Sequence, residues 1–446
     1  MIPDSRGLAP GPPGTHGGDV TIPSPGAGGA PAPHPAPWRA FGAVALGTFM
    51  STLDSSIVNV ALPTLQHTFG VSVTTIGWVS LAYLLTLTLL LLPFGRLGDA
   101  VGRRRMFLIG LGLFIAGSAA CGFATSAATL IASRVLQALG ASLVSANTTA
   151  IITATFPASM RGRALGMIGA VVGLGLTVGP PVGGFLLEAW GWRWIFFVNL
   201  PVGVLAIGLG LRLVPRDTPA AERPHQAGRI RLFDRALFFD PAFGTAALAL
   251  FLSFVALFAS VFLTPFYLER VLGLAPAAVG RVLVVVPLLL VSISPLAGTL
   301  SDRMGTRRLA IAGLSILTAG MLLMARLVGG PAPAGVLALV CGLFVVGLGQ
   351  GLFQSPNASA AMGAAPLEKL GLAGGAIATL RNLGMLCGVG LAATIFERRE
   401  AAYLAAGLAA APAAGAGMRD ALVVAAGIAV LGVFTVSRGP RGRTSS

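Results

Sequence analysis

The sequence GRLGDAVGRRR at residues 95–105 and the sequence GTLSDRMGTRR at residues 298–308 are near copies of each other. They share the pattern G-x-L-x-D-x-x-G-x-R-R and begin 203 residues apart. Each of these two repeat loops lies between one long apolar run and the next. A charged loop repeated between apolar runs indicates a membrane protein built from two similar halves, an organisation typical of transport proteins.

The composition supports a polytopic membrane protein. Of the 446 residues, 55% are hydrophobic and only 10% are charged, whereas a soluble domain carries about 25% charged residues. The mean hydropathy is +0.85. Three cysteines and four scattered histidines form neither a metal-site pattern nor a disulfide framework, so no cofactor or metal is expected.

Apolar runs of about 20 residues, the length that a helix needs to cross a bilayer, recur twelve times along the chain. The predicted spans are 39–62, 75–94, 106–124, 127–154, 164–187, 194–214, 243–267, 276–299, 308–328, 333–356, 371–396 and 418–437. We therefore expect an all-α polytopic membrane protein with two six-helix bundles.

Five segments follow from these spans. Residues 1–37 are rich in proline, glycine and alanine, lack the apolar core of a signal peptide, and are expected to be disordered. Residues 38–214 and 243–437 form the two bundles, residues 215–242 form a charged linker, and residues 438–446 form a C-terminal tail.

The distribution of basic residues sets the expected orientation. With the N-terminus inside the cell, the inner segments hold 21 arginine and lysine residues and the outer segments hold seven. This asymmetry favours a multi-pass protein of the inner (plasma) membrane with both termini in the cytoplasm. The formal net charge of +15 is then explained by basic residues that set the membrane orientation and contact the anionic inner leaflet. This explanation argues against a nucleic-acid partner.

The repeat loops contain residue types suited to a conformational latch. Their glycines permit tight turns, their aspartates can bind helix N-terminal amides or arginines, and their arginines favour the cytoplasmic face. The candidate latch residues are Gly95, Asp99, Gly102, Arg103, Arg104, Gly298, Asp302, Gly305, Arg307 and Arg308.

Asp54 is the only acid well inside a predicted span. A buried carboxylate needs a partner or must titrate. Asp54 lies roughly 12 Å from the outer end of helix one, and Arg134 lies roughly 10 Å from the outer end of helix four, at 1.5 Å per residue. The two can therefore pair, either as a proton-coupling site or as a purely structural ion pair.

Several other motifs resemble the major facilitator superfamily, whose signature loop joins helices two and three and is echoed between helices eight and nine. The stretches LDSSIVNVALP (53–63), RVLQALGA (134–141), GLTVGPPVGG (175–184), WRWIFFVNLP (192–201), QSPN (354–357) and RNLG (381–384) resemble its drug:proton antiporter branch. The resemblance covers about residues 40–396. That branch usually has fourteen helices, but residues 215–242 are too short to hold two more, so this chain resembles a twelve-helix member.

The resemblance implies two pseudo-symmetric bundles around a central cavity, with Asp54 and Arg134 implicated in proton coupling. Helix five contains Gly175, Gly179, Pro180, Gly183 and Gly184, which would make it a bending element between the halves. Simple close packing is the other interpretation.

Polar side chains recur at helical spacing in helices one, four and ten, either as interhelical hydrogen bonds or as the lining of a cavity. The candidate cavity residues are Asn59, Gln137, Gln350, Gln354, Asn357 and Arg381. Arg381 lies near the middle of helix eleven without an acid at its depth in the C-terminal half. It either has a structural role or binds an anionic group of a substrate.

The sequence favours secondary transport. No phosphate-binding loop is present, because the only lysine, Lys369, follows a glutamate, and no catalytic arrangement is evident, so the chain is not expected to be an enzyme. We expect a monomer in the lipid bilayer that exports amphipathic small molecules in exchange for protons. Uptake or facilitated diffusion of a metabolite is the alternative, and a non-transporting receptor or scaffold is a third hypothesis.

Overall fold

The structure, a computed structural model, describes residues 37–217, 239–330, 334–366 and 370–439. This part of the chain contains twelve helices that are long and apolar enough to cross a membrane. They are α1 (Pro37–Phe69), α2 (Val73–Val101), α3 (Arg103–Gly122), α4 (Ala127–Thr155), α5 (Met160–Trp190), α6 (Trp194–Leu213), α7 (Pro241–Arg270), α8 (Pro276–Met304), α9 (Thr306–Val328), α10 (Val336–Ala364), α11 (Leu372–Ala405) and α12 (Ala410–Arg438).

Each of these helices coincides with one predicted span, which confirms the twelve-helix prediction. Many helices are longer than the apolar run that predicts them, because backbone hydrogen bonding continues into polar or alanine-rich sequence. Thus α11 continues to Ala405, and α12 begins at Ala410, eight residues before its predicted start. The predictions for residues 1–36, 218–238 and 440–446, and for Lys369, lie outside the described residues.

The two halves pack their helices in the same way, at points where glycine allows close contact. A Cβ atom on Gly140 of α4 would approach Gly110 and Phe114 of α3, and one on Gly349 of α10 would approach Gly313 and Leu317 of α9. A residue of α3 and its equivalent in α9 are 203 residues apart in the sequence. A residue of α4 and its equivalent in α10 are 209 residues apart. The repeat seen in the loops therefore extends through the helix pairs on either side of it.

Because consecutive helices run in opposite directions, the start of α1, the end of α12 and both repeat loops lie at one end of the bundle, here called the loop end. The opposite end is called the far end. The halves meet along two seams, where α5 packs against α8 and α2 packs against α11. These seams border the space between the halves, where polar residues of both halves can meet.

Each repeat loop turns on a glycine whose backbone conformation disfavours other residues. Gly102 has φ 129° and Gly305 has φ 86°, values that cost residues with a Cβ about 1–3 kcal/mol. A Cβ atom at Gly102 would also approach the Asp217 carboxylate to 2.3 Å, whereas one at Gly305 would meet open space.

Substitution of these two glycines should separate the cost of backbone strain from the cost of a steric clash with Asp217. We expect Gly102→Ala to lower the free energy of unfolding by more than Gly305→Ala, which should cost about 1–3 kcal/mol. Gly162→Ala is the control, because Gly162 has an ordinary helical conformation with nothing within 4 Å of its added Cβ. Denaturant titration followed by tryptophan fluorescence measures all three, and equal costs at Gly102 and Gly305 would contradict the role of Asp217.

Candidate functional site

Asp54 of α1 and Arg134 of α4 form an ion pair inside the N-terminal half. The Arg134 Nη1 atom lies 2.6 Å from Asp54 Oδ2. The side chain of Asp54 is 0% exposed and that of Arg134 is 1% exposed. A charge at such a position is tolerated only when its partners are well placed, because removing both ions from water costs several kcal/mol per ion.

Neutral side chains complete the coordination of the Asp54 carboxylate. Gln137 Nε2 and Asn199 Nδ2 each donate a hydrogen bond of 2.8 Å to Asp54 Oδ1. The same two amides also donate to Ser118 Oγ, at 3.1 Å and 3.0 Å. These four residues and Arg134 form one closed network, hereafter the buried network, contributed by α1, α3, α4 and α6.

Arg134 has further partners that fix its direction. Its guanidinium donates a hydrogen bond of 2.6 Å to Gln137 Oε1. Its Nε atom donates another of 3.2 Å to the carbonyl of Val79 in α2. Its Cζ atom lies 4.1 Å from the centre of the Tyr83 ring, a cation–π distance. The arginine thus contacts α2 on one side and Asp54 on the other.

A break in α6 places Asn199 in the buried network. Regular helix runs from Trp194 to Phe197 and resumes at Asn199 after a single interruption at Val198. Ser118 Oγ donates 2.9 Å to the carbonyl of Phe196, which supplies a partner for a backbone acceptor at the break. The resumed helix starts with the Asn199 side chain beside Asp54.

Sequence analysis identifies Asp54 and Arg134 of this site by their charge, and Gln137 by its helical spacing. It misses Asn199, Ser118 and Tyr83 as members of the site. Asn199 lies within the motif WRWIFFVNLP and is the only amide side chain in the region of α6, which is the one available signal. Ser118 and Tyr83 are single polar residues in apolar helices, and no pattern in the sequence distinguishes them.

A small pocket of about 10 Å³, with both polar and apolar lining residues, lies between the two halves beside the buried network. Side chains of α1, α2 and α4 form one wall and those of α7 and α11 form the other. The lining residues are Ser55, Asn59, Ser80, Tyr83, Leu84, Arg134, Phe258 and Val389. Arg134 therefore stands between the pocket and Asp54.

The six candidate cavity residues occupy different surroundings. Asn59 lines the pocket, and Gln137 belongs to the buried network. Gln350 and Asn357 are buried against α7, where Gln350 Nε2 lies 3.5 Å from Ser253 Oγ and Asn357 Nδ2 donates 2.9 Å to the carbonyl of Ala246.

Gln354 and Arg381 differ from the other four in their hydrogen bonding. Both are half-buried, and within the described residues neither makes a hydrogen bond or an ion pair. The Nε atom of Arg381 is itself buried without an acceptor. These two side chains have unused hydrogen-bonding capacity in the C-terminal half.

In the first repeat loop, residues from other parts of the chain bind the turn. Asp99 pairs with Arg103 at 2.8 Å, and Arg103 also donates 3.1 Å to the carbonyl of Ala150. Asp217, at the start of the linker, accepts hydrogen bonds of 3.0 Å and 3.1 Å from the backbone amides of Arg104 and Arg105. The expectation that a loop aspartate binds these amides is thus met by Asp217 instead of Asp99.

The second repeat loop retains one of these contacts. Arg104 donates to the carbonyl of Leu211 in the last turn of α6, and Arg307 donates to the carbonyls of Val436 and Ser437 in the last turn of α12. Asp302 is exposed and, among the described residues, makes no hydrogen bond. Its predicted pairing is not made in this conformation: Thr306 stands at the position of Arg103, and no described residue binds the second turn as Asp217 binds the first.

The remaining loop candidates have no comparable role in holding the turns. Gly95 has open space around an added Cβ, and Gly298 would bring one to 3.0 Å from Ser355 Oγ. Arg308 is exposed at the loop end.

The glycines of α5 lie on both of its contact faces. Added Cβ atoms on Gly175, Gly179 and Gly183 would meet Thr52, Ser56 and Ile57 of α1. A Cβ on Gly184 would instead approach the carbonyl oxygen of Pro276 in α8 to 2.3 Å, and the Pro180 carbonyl oxygen lies 2.2 Å from a Cβ added at Gly280. The helix continues through Pro180 and Pro181, so α5 is packed closely against both halves.

The hydrogen bonds of Gln137 should contribute measurably to the free energy of unfolding. We expect Gln137→Leu to lower the free energy of unfolding by about 1–3 kcal/mol, because it removes one hydrogen bond from each of Asp54, Arg134 and Ser118 while they stay buried. Gln354→Leu is the matched control, since it removes the same side chain where no hydrogen bond is made. Denaturant titration compares the two, and equal effects would contradict the network's contribution.

Comparison with known proteins places the chain in a family. The profile of the Major Facilitator Superfamily matches residues 44–389. Riboflavin transporter RibZ of Clostridioides difficile (strain 630) is 34% identical over 406 residues, which cover 81% of this chain and 88% of RibZ. Multidrug resistance protein Stp of Mycobacterium tuberculosis (strain ATCC 25618 / H37Rv) is 33% identical over 417 residues, which cover 82% of this chain and 76% of Stp.

The fold also matches that of a solved transporter structure. The crystal structure of a D-xylose–proton symporter superposes with a TM-score of 0.73 at 16% identity and covers 92% of this chain and 99% of the symporter. The twelve helices in two similarly packed halves match this architecture. The chain belongs to the Major Facilitator Superfamily of membrane transporters.

Proposed function

We propose that this transporter exports amphipathic small molecules in exchange for protons, by alternating access. The observation that carries the proposal is the ion pair of Asp54 and Arg134, enclosed by neutral hydrogen-bond donors and adjoining the small pocket between the halves. A carboxylate in such a place is a candidate for reversible protonation.

The C-terminal half supports a functional role for the buried network. By the same 203- and 209-residue offsets, Met321, Leu343 and Val346 occupy the positions of Ser118, Arg134 and Gln137. All three are buried hydrophobic residues. Because apolar residues of similar volume can replace a buried ion pair without loss of stability, the fold does not require the network.

The buried network is suited to two protonation states. With Asp54 ionised, Arg134, Gln137 and Asn199 satisfy its oxygens. The Oδ1 atom of Asn199 is buried without a donor, so rotation of this amide would present an acceptor to a protonated Asp54. Protonation would release Arg134 from its counterion and free the guanidinium to contact the pocket beside it.

The repeat loops and α5 would provide the conformational change. Arg104 and Arg307 tie each loop to the last helix of its own half, so each half would move as a unit. The α5 and α8 seam, where backbone approaches backbone, would serve as a hinge and a seal against leak. Alternating access in this family of folds proceeds by rocking one bundle against the other.

The proposed orientation places the loop end in the cytoplasm of a cell with the protein in its plasma membrane, as the distribution of arginine favours. The working unit would be a monomer, because the pocket lies within one chain. The pocket and Gln354 would contact the substrate.

Uptake or facilitated diffusion of a small metabolite is the second candidate. The observation that favours it is the similarity to RibZ, a protein named as a riboflavin transporter. Riboflavin and the drugs exported by multidrug transporters are both amphipathic aromatic molecules, so one pocket chemistry suits either function. The direction of transport and its dependence on protons separate the two.

Neutralising Asp54 tests proton exchange. In inside-out vesicles, we expect a pH gradient, acidic inside, to drive accumulation of ethidium, riboflavin or another member of an amphipathic panel by the native chain. Asp54→Asn should reduce this accumulation at least tenfold while substrate binding to the purified protein is retained, because the amide cannot carry the proton.

Asp420→Asn is the control, since Asp420 pairs with Arg399 and Arg419 of its own half at the far end. Full gradient-driven transport by Asp54→Asn would refute proton exchange through this carboxylate. Protein-dependent equilibration of the substrate across the membrane, with no accumulation when the pH gradient is applied, would favour facilitated diffusion instead.

A further inference from the structure

Arg381 faces the space between the halves. Neighbouring positions on α11 fix its direction, because Gly384 and Gly388 press against α7 at Phe251 and Val255, and Gly375 approaches Leu92 of α2. At about 100° per residue, Arg381 lies roughly 20° from Gly388 and roughly 120° from Gly375, so it is at the edge of the α7 face on the side turned towards α2. Val389, which lines the pocket, lies two turns further along the same helix, roughly 12 Å towards the far end.

Within the described residues, Arg381 lacks a counterion. The six acids of the described C-terminal half are Asp240, Glu269, Asp302, Glu397, Glu400 and Asp420. None of them forms an ion pair or a hydrogen bond with Arg381. Asp420 and Glu400 pair with other arginines, and Glu397 lies 16 residues along α11, roughly 24 Å away.

The surrounding polar atoms also lack partners. The Arg381 Nε atom, the Thr379 hydroxyl on the same helix and the Gln350 Oε1 atom on α10 are all buried without a hydrogen bond. Buried polar groups are nearly always paired, so these unpaired groups on α10 and α11 leave hydrogen-bonding capacity that a ligand could use.

We propose that Arg381 binds the anionic group of an amphipathic substrate, such as a carboxylate, and that the apolar part of the substrate lies between the halves on the side of Val389 and Phe258. This inference rests on the proposed transport function. The ion pair of Asp54 and Arg134 is neutral overall, so Arg381 gives the space between the halves a net positive charge. The guanidinium binds a carboxylate through two parallel hydrogen bonds, which a neutral amide cannot reproduce.

A matched pair of fluorescent probes tests this inference. The probes are 1-pyrenebutyrate and its uncharged amide, 1-pyrenebutyramide, which share one apolar skeleton. Binding to the purified full-length protein is measured by energy transfer from tryptophan. We expect the acid to bind about tenfold or more tightly than the amide, the range expected for a hydrogen bond to a charged group.

Variants assign the preference to one side chain. Arg381→Gln should remove the preference for the acid and leave binding of the amide unchanged, and Arg381→Lys should retain part of the preference. Arg326→Gln, which removes an exposed arginine of α9, should behave as the native chain. This binding measurement uses no pH gradient, so its outcome does not depend on proton exchange, which separates this inference from the proposed function. Failure of the acid to bind, equal binding of both probes, or a preference that survives Arg381→Gln would each overturn it.

A second, independent observation concerns the closure of the far end. Glu188 of α5 accepts a hydrogen bond of 3.0 Å from the backbone amide of Ala277, the second residue of α8. Glu397 of α11 accepts one of 3.0 Å from the backbone amide of Thr74, the second residue of α2. The amides are 203 residues apart and the carboxylates are 209 residues apart, which are the offsets that relate the two halves.

These contacts, hereafter the paired clasps, join the halves at the far end only. Each places a carboxylate against the positive N-terminus of a helix in the other half, a favourable arrangement. The other hydrogen bonds between the halves in the described chain are also at the far end, from Thr64 to Glu269 and from Arg270 to Gln66.

We infer that the paired clasps hold the far end closed and that both must break when the transporter opens there. Since each clasp crosses one seam, neither seam can separate at the far end while its clasp is intact. The two clasps therefore contribute symmetrically to the equilibrium between the two access states.

Hydrogen–deuterium exchange on the full-length protein in nanodiscs tests this role. We expect the double variant Glu188→Gln, Glu397→Gln to exchange roughly fivefold faster at the N-termini of α2 and α8, the loss expected for one such hydrogen bond. The loop end, including residues 95–105 and 298–308, should exchange more slowly in return, because opening at one end closes the other. Each single variant should give part of the effect.

Asp420→Asn is the control, as it removes a carboxylate from the far end that bonds only within its own half. A purely structural role would loosen the far end without protecting the loop end. Absence of reciprocal protection at the loop end, or the same pattern in Asp420→Asn, would overturn the inference.

Discussion

One carboxylate imposes the strictest constraint on this structure. Asp54 has no access to water, so its charge must be balanced within the protein, and the cost of failing to do so is several kcal/mol. Three other helices of the N-terminal half contribute to the solution: α4 supplies the counterion and one amide, α6 supplies another amide through a local break, and α3 supplies the hydroxyl that both amides share. The positions of these helices are therefore coupled to a single charge.

The C-terminal half provides an internal comparison. It repeats the helix packing of the first half at matching glycines, yet leucine, valine and methionine replace the arginine, glutamine and serine of the buried network. The same scaffold is thus built once around a charge and once around hydrocarbon. The buried network is therefore a special feature of the N-terminal half, since apolar side chains alone fill the equivalent positions in the C-terminal half.

The sequence predicted features whose signal is local or periodic. Hydropathy identified all twelve helices, because each span must be apolar over about 20 residues. Asp54 and Arg134 were identifiable because charged residues are rare inside such spans. Asn199 and Ser118 were not, since both are neutral: Asn199 binds Asp54 from 145 residues away in the chain, and Ser118 is connected to Asp54 only through the amides that hold it. The paired clasps depend on which helix ends meet across the seams, and that information exists only in three dimensions.

Asp217 has a consequence for the connection between the halves. It is the last described residue before residues 218–238, and its carboxylate is bound to the backbone of α3 beside Gly102. The chain that joins the halves is thus anchored at the first repeat loop, beyond the end of α6. A force applied to the backbone at Asp217 would therefore act on the turn between α2 and α3, and within the described residues the second repeat loop has no equivalent contact.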